Sequence, residues 1–174
     1  MYKFAAASET ELTVFGAARP GYKDRQVVSW IDFMKKQNID RVCCLLAANQ
    51  LAKYSNLLDN YEQQFGQEQV CWTPIKDFHF VDRPTLIDKI LPFLITTEEK
   101  KQRVVVHCSG GIGRTGQILT AWLVARRGLS VQKAISTVQS TGRNPYEAIY
   151  VAILRGQNPW QVAKAFNNLL NDCR

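Results

Sequence analysis

One short run of this 174-residue sequence, from Cys108 to Arg114, combines the residue types needed for chemistry on a phosphate group. Five residues separate the cysteine from the arginine, and three of the five are glycine. A glycine-rich loop that opens a helix directs several backbone N–H groups into one concavity, where the helix dipole attracts a dianion. The same field favours a thiolate over a thiol at Cys108. The run therefore predicts a sulfur nucleophile held beside the phosphorus of a bound phosphate.

Each residue of the run has a predicted task. We expect the phosphate to be bound by Arg114 together with the loop residues Ser109, Gly110, Gly111, Ile112 and Gly113. The glycines allow positive φ angles and keep Cβ atoms away from the phosphate oxygens, and the planar fork of Arg114 grips two of those oxygens. The hydroxyl of Thr115 is expected close to the sulfur, where it steadies the departing thiolate. His107 is expected to orient the loop through hydrogen bonds and to shuttle no proton.

The segments on either side of the loop support this arrangement. Residues 104–106 are three consecutive valines, which predict a buried strand. After the loop, apolar side chains recur at helical spacing at Ile118, Leu119, Trp122 and Leu123. Sulfur-transfer enzymes also use cysteine loops of similar size, and glycine-rich turns also bind nucleotides, although the lysine of a nucleotide-binding P-loop is absent here. A phosphate-handling catalytic loop is favoured over a purely binding or sulfur-handling one.

The run 107–116 matches the motif H-C-x-x-G-x-x-R-[ST]-G, and on this match the sequence resembles the cysteine-based protein tyrosine phosphatase superfamily. Residues 107–129 are most similar to small atypical dual-specificity phosphatases, and the resemblance extends over about residues 10 to 155. It implies hydrolysis of phosphotyrosine through a cysteinyl-phosphate intermediate. The loop that deepens the pocket of larger tyrosine-specific relatives has no recognisable equivalent, so phosphoserine and phosphothreonine are further expected substrates.

The proposed chemistry needs a second group, because the leaving oxygen must take up a proton. Asp77 is the first acid after residues 70–75, an apolar segment that predicts a strand, and Asp82 is the second. In the similar phosphatases the acid lies in a Pro-x-x-Asp segment, which Pro74 and Asp77 match. Asp77 is therefore the candidate general acid, and Asp82 remains the alternative. The ordinary use of either aspartate is to cap a helix or a turn.

Strand and helix patterns alternate along the chain, which predicts an α/β fold. We expect a single phosphatase catalytic domain over residues 1–174, with a central, mostly parallel sheet flanked by helices on both faces. The resemblance implies the same fold. Helix ends are predicted at Thr85, Gly128, Ser130, Asn144 and Asn158. Pro92 is expected to kink or divide its helix.

The chain carries 22 basic and 15 acidic residues, and its net charge of +7 favours anionic ligands such as phosphorylated protein, phosphoinositide or RNA. No cluster of lysine and arginine interleaved with aromatic residues indicates a nucleic-acid groove. Similar phosphatases that act on phosphoinositides carry lysines in this loop, so the resemblance and the absence of lysine between Cys108 and Arg114 argue against a phosphoinositide. No apolar run is long enough to span a membrane, and no signal peptide is recognisable.

Cysteine usage bears on the cellular compartment. Five cysteines, an odd number without regular spacing, predict no disulfide framework. Cys43, Cys44 and Cys71 lie among apolar residues and are expected to be buried thiols. Free thiols and a thiolate nucleophile both suit a reducing compartment, so a cytoplasmic location is expected.

These observations favour a monomeric protein phosphatase that acts on a phosphorylated protein and uses no metal or other cofactor. Two alternatives stay open. A phosphatase of RNA 5′ ends, of a lipid or of a small phosphate ester would use the same loop. A phospho-binding module without turnover is disfavoured, because Cys108, Arg114, Thr115 and a candidate acid are all present.

Overall fold

The computed structural model describes residues 2–174 and arranges five strands in one sheet within them. The strands are β1 (Ala5–Ala6), β2 (Val14–Ala18), β3 (Arg41–Cys44), β4 (Val70–Trp72) and β5 (Val104–Cys108). Their order across the sheet is β1-β2-β5-β3-β4, with β1 antiparallel to β2 and all other neighbours parallel. The predicted mostly parallel sheet is confirmed. Because β5 is central, its carboxyl end is flanked by the ends of β2 and β3.

Eight α-helices pack around the sheet within the described residues. They are α1 (Asp24–Lys36), α2 (Ala48–Leu51), α3 (Leu57–Phe65), α4 (Leu91–Glu99), α5 (Gly113–Arg127), α6 (Val131–Ser140), α7 (Glu147–Leu154) and α8 (Pro159–Asn171). A π-helical segment, Thr85–Ile90, leads into α4, and a 3₁₀ turn, Gln67–Gln69, precedes β4. Pro92 lies in the first turn of α4, so it divides this helical stretch as predicted.

Side chains that alternate along β5 build two apolar cores, one on each face of the sheet. Val106 and Cys108 belong to a cluster with buried residues of α4, α5, α6 and α8. Val105 packs on the opposite face, in a cluster with buried residues of α1 and α3. Helices therefore cover both faces, which confirms the predicted fold class.

The helix that follows the loop differs from its prediction. The sequence pattern predicts an amphipathic helix, but every residue of α5 from Gly113 to Val124 is buried. The reason is its position, because α5 lies between the sheet on one side and α6 and α8 on the other. A helix enclosed in this way cannot shift readily, so its N-terminus is a fixed platform for the loop before it.

Capping residues place three helix ends as predicted. Gly128 ends α5 with a φ of 65°. Ser130 Oγ accepts a hydrogen bond from the backbone N–H of Lys133, and Asn158 Oδ1 accepts one from Trp160 at the start of α8.

Two predicted helix starts are wrong. Asn144 caps only the turn that precedes α7, because its Oδ1 accepts the backbone N–H of Tyr146 and the helix begins at Glu147. Thr85 is not the cap of its helical stretch. Its backbone N–H instead donates to the carboxylate of Asp82.

Candidate active site

The loop predicted to bind phosphate lies at the carboxyl edge of the sheet, between β5 and α5. Cys108 is the last residue of β5 and is 3% exposed. The backbone N–H of Arg19, directly after β2, donates to the carbonyl oxygens of Cys108 and Ser109 at 3.0 and 3.3 Å. Since α5 begins at Gly113, the N–H groups of its first turn lack partners within the helix and are directed at the loop. Residues 109–114 are called the cradle below.

Gly111 is the residue of the cradle whose conformation demands glycine. Its φ is +69°, and a Cβ added there would lie 2.6 Å from backbone atoms of Ala17 and Ala18. Of the three glycines that the sequence allows at positive φ, Gly110 and Gly113 do not adopt it. The missing Cβ of Gly113 instead makes room for the side chain of Glu147 at the start of α7. Close approach of β2 accounts for Gly111, and close approach of α7 accounts for Gly113.

Replacing Gly111 by alanine is expected to deform the cradle and to lower kcat/KM by about 10²-fold, the order of loss that a misplacement near 1 Å causes. Gly128→Ala is the matched control, because Gly128 has a φ of +65° and no atom within 4 Å of an added Cβ. Both variants carry a strain of about 1 kcal/mol from a left-handed residue with a Cβ. Aryl phosphate hydrolysis and thermal unfolding should be measured on both. An equal loss of activity in the two variants would show that the contact of Ala17 and Ala18 with Gly111 does not matter for the cradle.

The guanidinium of Arg114 is held from several sides, and the Arg114 side chain is 3% exposed. Its Nη1 donates to the carbonyl oxygens of Leu45 at 3.3 Å and Ile75 at 2.9 Å, and to Gln50 Oε1 at 2.9 Å. Its Nη2 lies 2.9 Å from Oδ1 of Asp77 in an ion pair. Leu45 follows β3 and Ile75 follows β4, so the ends of two parallel strands fix the orientation of the guanidinium.

Gln50 joins the parts of the site, and no sequence motif singled it out. Its Nε2 donates to Asp77 Oδ2 at 2.9 Å and to Ser109 Oγ at 3.0 Å, while its Oε1 accepts from Arg114. Gln50 belongs to α2, which follows β3 and therefore lies at the edge of the sheet where Cys108 ends β5. This position directly after a predicted strand could have identified Gln50 from the sequence, because ligands of parallel sheets bind at the carboxyl ends of the strands.

The two candidate acids occupy different environments. Asp77, in the turn after β4, has a side chain that is 42% exposed and contacts both Arg114 and Gln50. Asp82 accepts hydrogen bonds from the backbone N–H of Thr85 at 2.8 Å and from its hydroxyl at 3.0 Å. These bonds, the backbone one above all, lower the pKa of Asp82 and favour its ionised form. The structure brings Asp77 to Arg114 and uses Asp82 to cap a helix.

His107 packs on the face of the sheet opposite to Cys108. Its ring lies 5.2 Å from the ring of Trp30 and 5.7 Å from that of Tyr61, centroid to centroid. Its Nε2 is 3.2 Å from the hydroxyl oxygen of Tyr61. Burial lowers the pKa of His107 to about 3, so the ring is neutral at physiological pH. His107 therefore anchors the end of β5 to α3.

Two further side chains lie beneath the cradle. Thr115 is buried and its Oγ1 has no hydrogen-bond partner among residues 2–174, so its predicted contact with the sulfur stays a prediction. Arg143, in the turn before α7, is buried and donates to the carbonyl oxygens of Gly16 at 2.7 Å and Lys3 at 3.0 Å. Burial lowers the pKa of Arg143 to about 10, which leaves it cationic at neutral pH. Arg143 thus supports the cradle and adds positive charge behind it.

All five cysteines are free thiols. Cys43 and Cys44 are buried as predicted, but the prediction for Cys71 is wrong, because the edge strand β4 leaves it partly exposed. Across the described residues, no three His, Cys, Asp or Glu side chains gather as a metal site would require. None of the helices found in residues 2–174 combines the length and apolar character of a membrane span.

Comparison with known proteins identifies relatives of this chain. The family model of the dual specificity phosphatase catalytic domain matches residues 23–151. Tyrosine-protein phosphatase cdc-14 of Caenorhabditis elegans is 38% identical over 55 residues, which are 31% of this chain and 8% of that protein. Dual specificity protein phosphatase 5 of Homo sapiens is 28% identical over 68 residues, 39% of this chain and 18% of that protein. The match therefore spans less than a fifth of the length of these two relatives.

A solved structure agrees with the family assignment. The crystal structure of Tk-PTP in the active form is 25% identical to this chain, with a TM-score of 0.68 over 91% of this chain and 93% of that one. The family match covers most of the sequence and includes both Asp77 and the run 107–116. The resemblance first noted on that run is confirmed, and the chain belongs to the dual specificity phosphatase catalytic-domain family.

Proposed function

We propose that this chain is a cysteine-dependent protein phosphatase that hydrolyses phosphotyrosine, and also phosphoserine or phosphothreonine, through a cysteinyl-phosphate intermediate. The observation that carries the proposal is the placement of Asp77, whose Oδ1 lies 2.9 Å from Nη2 of the cradle residue Arg114. A phosphate gripped by Arg114 would lie between the sulfur of Cys108 and a carboxyl group. Such a pair of groups is what ester cleavage at phosphorus requires.

In the first step, the Cys108 thiolate attacks the phosphorus, and a sulfur–phosphorus bond forms as the ester bond to the leaving oxygen breaks. Asp77 gives its proton to that oxygen. Charge that develops on the phosphoryl oxygens is stabilised by Arg114 and by the N–H groups at the start of α5. In the second step, the Asp77 carboxylate takes a proton from water, which attacks phosphorus and releases phosphate and the Cys108 thiolate.

The ion pair between Arg114 and Asp77 has a consequence for substrate binding. Arg114 Nη1 is already occupied by Leu45, Ile75 and Gln50, so a phosphate binds at Nε and Nη2, and at Nη2 it meets the carboxylate of Asp77. Gln50 holds the other carboxylate oxygen of Asp77 and also the hydroxyl of Ser109. We infer that Gln50 keeps Asp77 at the mouth of the cradle when the phosphate displaces it from Arg114.

Side chains at the mouth of the cradle also favour a phosphorylated protein as the substrate. The Arg19 guanidinium lies 3.7 Å above the ring of Tyr22 and donates to the hydroxyl of Tyr54 at 3.0 Å. Tyr22 is 36% exposed, and Lys53 Nζ lies 5.6 Å from its ring centroid. The backbone N–H of Arg19 is hydrogen-bonded to the carbonyl oxygen of Cys108. The aromatic and cationic rim formed by Arg19, Tyr22 and Lys53 therefore adjoins the nucleophile. It suits the ring of phosphotyrosine and acidic residues beside it.

We place the reaction in the cytoplasm. The five free thiols agree with a reducing compartment, and a thiolate nucleophile is lost when it is oxidised.

The substrate class is tested by phosphate release from peptides that carry phosphotyrosine, phosphothreonine or phosphoserine in one common sequence. Triphosphate-ended RNA and a phosphoinositide in micelles are assayed beside them, with the Cys108→Ser protein as the blank. We expect kcat/KM to be highest for the phosphotyrosine peptide and roughly tenfold or more lower for RNA and lipid, a discrimination that pocket contacts can supply. A preference for RNA or lipid, or peptide binding without turnover, would overturn the proposal.

A further inference from the structure

Two cysteines outside the site lie side by side in the sheet. Cys43 of β3 and Cys71 of β4 are direct partners in the parallel register. Neighbouring strands are about 4.8 Å apart, which falls within the range of Cα separations, about 4.4 to 6.8 Å, that a disulfide can bridge. Cys43 is fully buried, whereas Cys71 on the edge strand is partly exposed. A small oxidant can therefore reach Cys71 and not Cys43.

A buried arginine lies next to this pair and forms no ion pair within the described residues. Arg41 is 4% exposed, and its guanidinium lies 4.0 Å from the ring centroid of Phe93. Its Nη2 donates to the carbonyl oxygen of Glu68, but its Nε and Nη1 have no partner within residues 2–174. Burial of a cation is costly, and it lowers the pKa of Arg41 although the charge of Glu68 opposes this. A negative charge on Cys71 would further offset the cost of burying Arg41.

The two thiols differ in their readiness to ionise. The pKa of Cys71 is lowered, chiefly by the Cys43 thiol as a hydrogen-bond donor and further by Thr73 and the charges of Arg41 and Lys89. The pKa of Cys43 is raised well above its ordinary value by its bond to Cys71 and by burial. Cys71 is therefore the thiol of the pair that ionises more readily. Thiolates are the form that peroxide attacks.

We propose that Cys71 is a peroxide-sensitive modification site that forms a reversible disulfide with Cys43. In the first step, the Cys71 thiolate attacks one oxygen of hydrogen peroxide and the O–O bond breaks. Cys71 sulfenic acid and hydroxide form, and the hydroxide takes a proton from solvent to become water. In the second step, the Cys43 sulfur attacks the Cys71 sulfur, Cys43 gives up its proton, and a second water leaves. Peroxide is reduced and the two thiols are oxidised by two electrons. Because Cys71 is partly exposed, small thiols can reach this disulfide and reduce it.

The remaining cysteines serve as internal standards. Burial raises the pKa of Cys44 to about 12, and its side chain packs in the core on the other face of the sheet. Burial also raises the pKa of Cys173 to about 11, although Cys173 is partly exposed. Cys173 is therefore comparable to Cys71 in access but not in ionisation. The inference goes beyond the proposed function and does not depend on it.

The experiment uses the whole chain with Cys108→Ser, so that the cradle thiol cannot compete. Equimolar hydrogen peroxide is added, remaining thiols are alkylated with a maleimide, and peptides are mapped by mass spectrometry without reduction. We expect a Cys43–Cys71 linked peptide that dithiothreitol removes, and loss of free Cys71 at least tenfold faster than loss of free Cys173. In a Cys43→Ala protein, which lacks the group that chiefly lowers the Cys71 pKa, Cys71 should be oxidised more slowly and be trapped by dimedone as the sulfenic acid.

The role of the buried cation is tested by Arg41→Gln, which should slow the oxidation of Cys71 about tenfold. Arg103→Gln is the matched control, because that arginine stacks on Phe15 and is not part of the cluster. Oxidation of Cys71 no faster than that of Cys173, or a Cys71–Cys71 link between two chains, would overturn the proposal. The measurement on the Cys108→Ser protein decides the question even if Arg41→Gln does not fold.

Discussion

Cys108→Ser is expected to lower kcat for a phosphotyrosine peptide by on the order of 10³-fold or more while phosphate binding persists. A serine hydroxyl stays protonated at neutral pH and is a weak nucleophile without an adjacent base. His107 is adjacent in sequence but cannot act as that base, because it packs against Tyr61 on the other face of the sheet. The N–H groups of the cradle and the guanidinium of Arg114 are unchanged, so the binding site for the dianion remains.

Two measurements check this expectation. Single-turnover and steady-state hydrolysis give the loss in rate, and calorimetric titration with the phosphopeptide gives the retained affinity. Cys173→Ser makes the same chemical change at a free thiol near the end of the chain and should leave the rate unaltered. More than a few per cent of residual activity in Cys108→Ser would exclude the cysteinyl-phosphate mechanism.

The sequence predicts those parts of the site that are built from residues close together along the chain. A glycine-rich loop between a strand and a helix needs only neighbouring residues to form, so the run from Cys108 to Arg114 predicted its own position at the carboxyl end of β5. The alternation of strands and helices predicted the sheet for the same reason. The roles of Cys108 and Arg114 remain predictions that the geometry supports, and the role of Thr115 remains a prediction alone.

Contacts between distant segments could not be predicted in this way. Gln50 reaches Ser109 and Arg114 across 59 and 64 positions of the chain, and Arg19 reaches Cys108 through the pairing of β2 with β5. Neither residue belongs to a motif, because a hydrogen bond between two different elements leaves no spacing pattern in the sequence. Only the strand order, which is a property of the folded sheet, brings them together.

The sequence pattern also does not distinguish an edge strand of a sheet from a central one. Cys43 and Cys71 both lie in short apolar runs, yet β3 is covered on both sides by neighbouring strands and β4 by only one. The apolar character of residues 70–72 therefore predicted burial that an edge strand cannot provide. The helix α5 forms as predicted, but its predicted amphipathic character is wrong for the opposite reason. Its polar residues Gln117 and Thr120 are buried with the apolar ones.

Asp77→Asn is expected to slow hydrolysis of phenyl phosphate by about 10²- to 10⁴-fold, the usual contribution of a general acid. The loss should be far smaller for 2,4-dinitrophenyl phosphate, because that leaving group departs without a proton. Asparagine has the size of aspartate and can still accept the hydrogen bond from Gln50. It no longer pairs with Arg114, so a phosphate competes with nothing at Nη2 and KM should not rise.

Asp82→Asn is the matched control, since it makes the same change five positions away at a residue that caps a helix through Thr85. Asparagine is as good a cap as aspartate, so this variant should keep its thermal stability and its dependence on the leaving group. The rates of both variants are compared over a series of aryl phosphates. A steep dependence in Asp82→Asn with a wild-type dependence in Asp77→Asn would transfer the role of acid to Asp82. The contact of Asp77 with Arg114 would then be a structural ion pair, which holds the guanidinium in place before the substrate arrives.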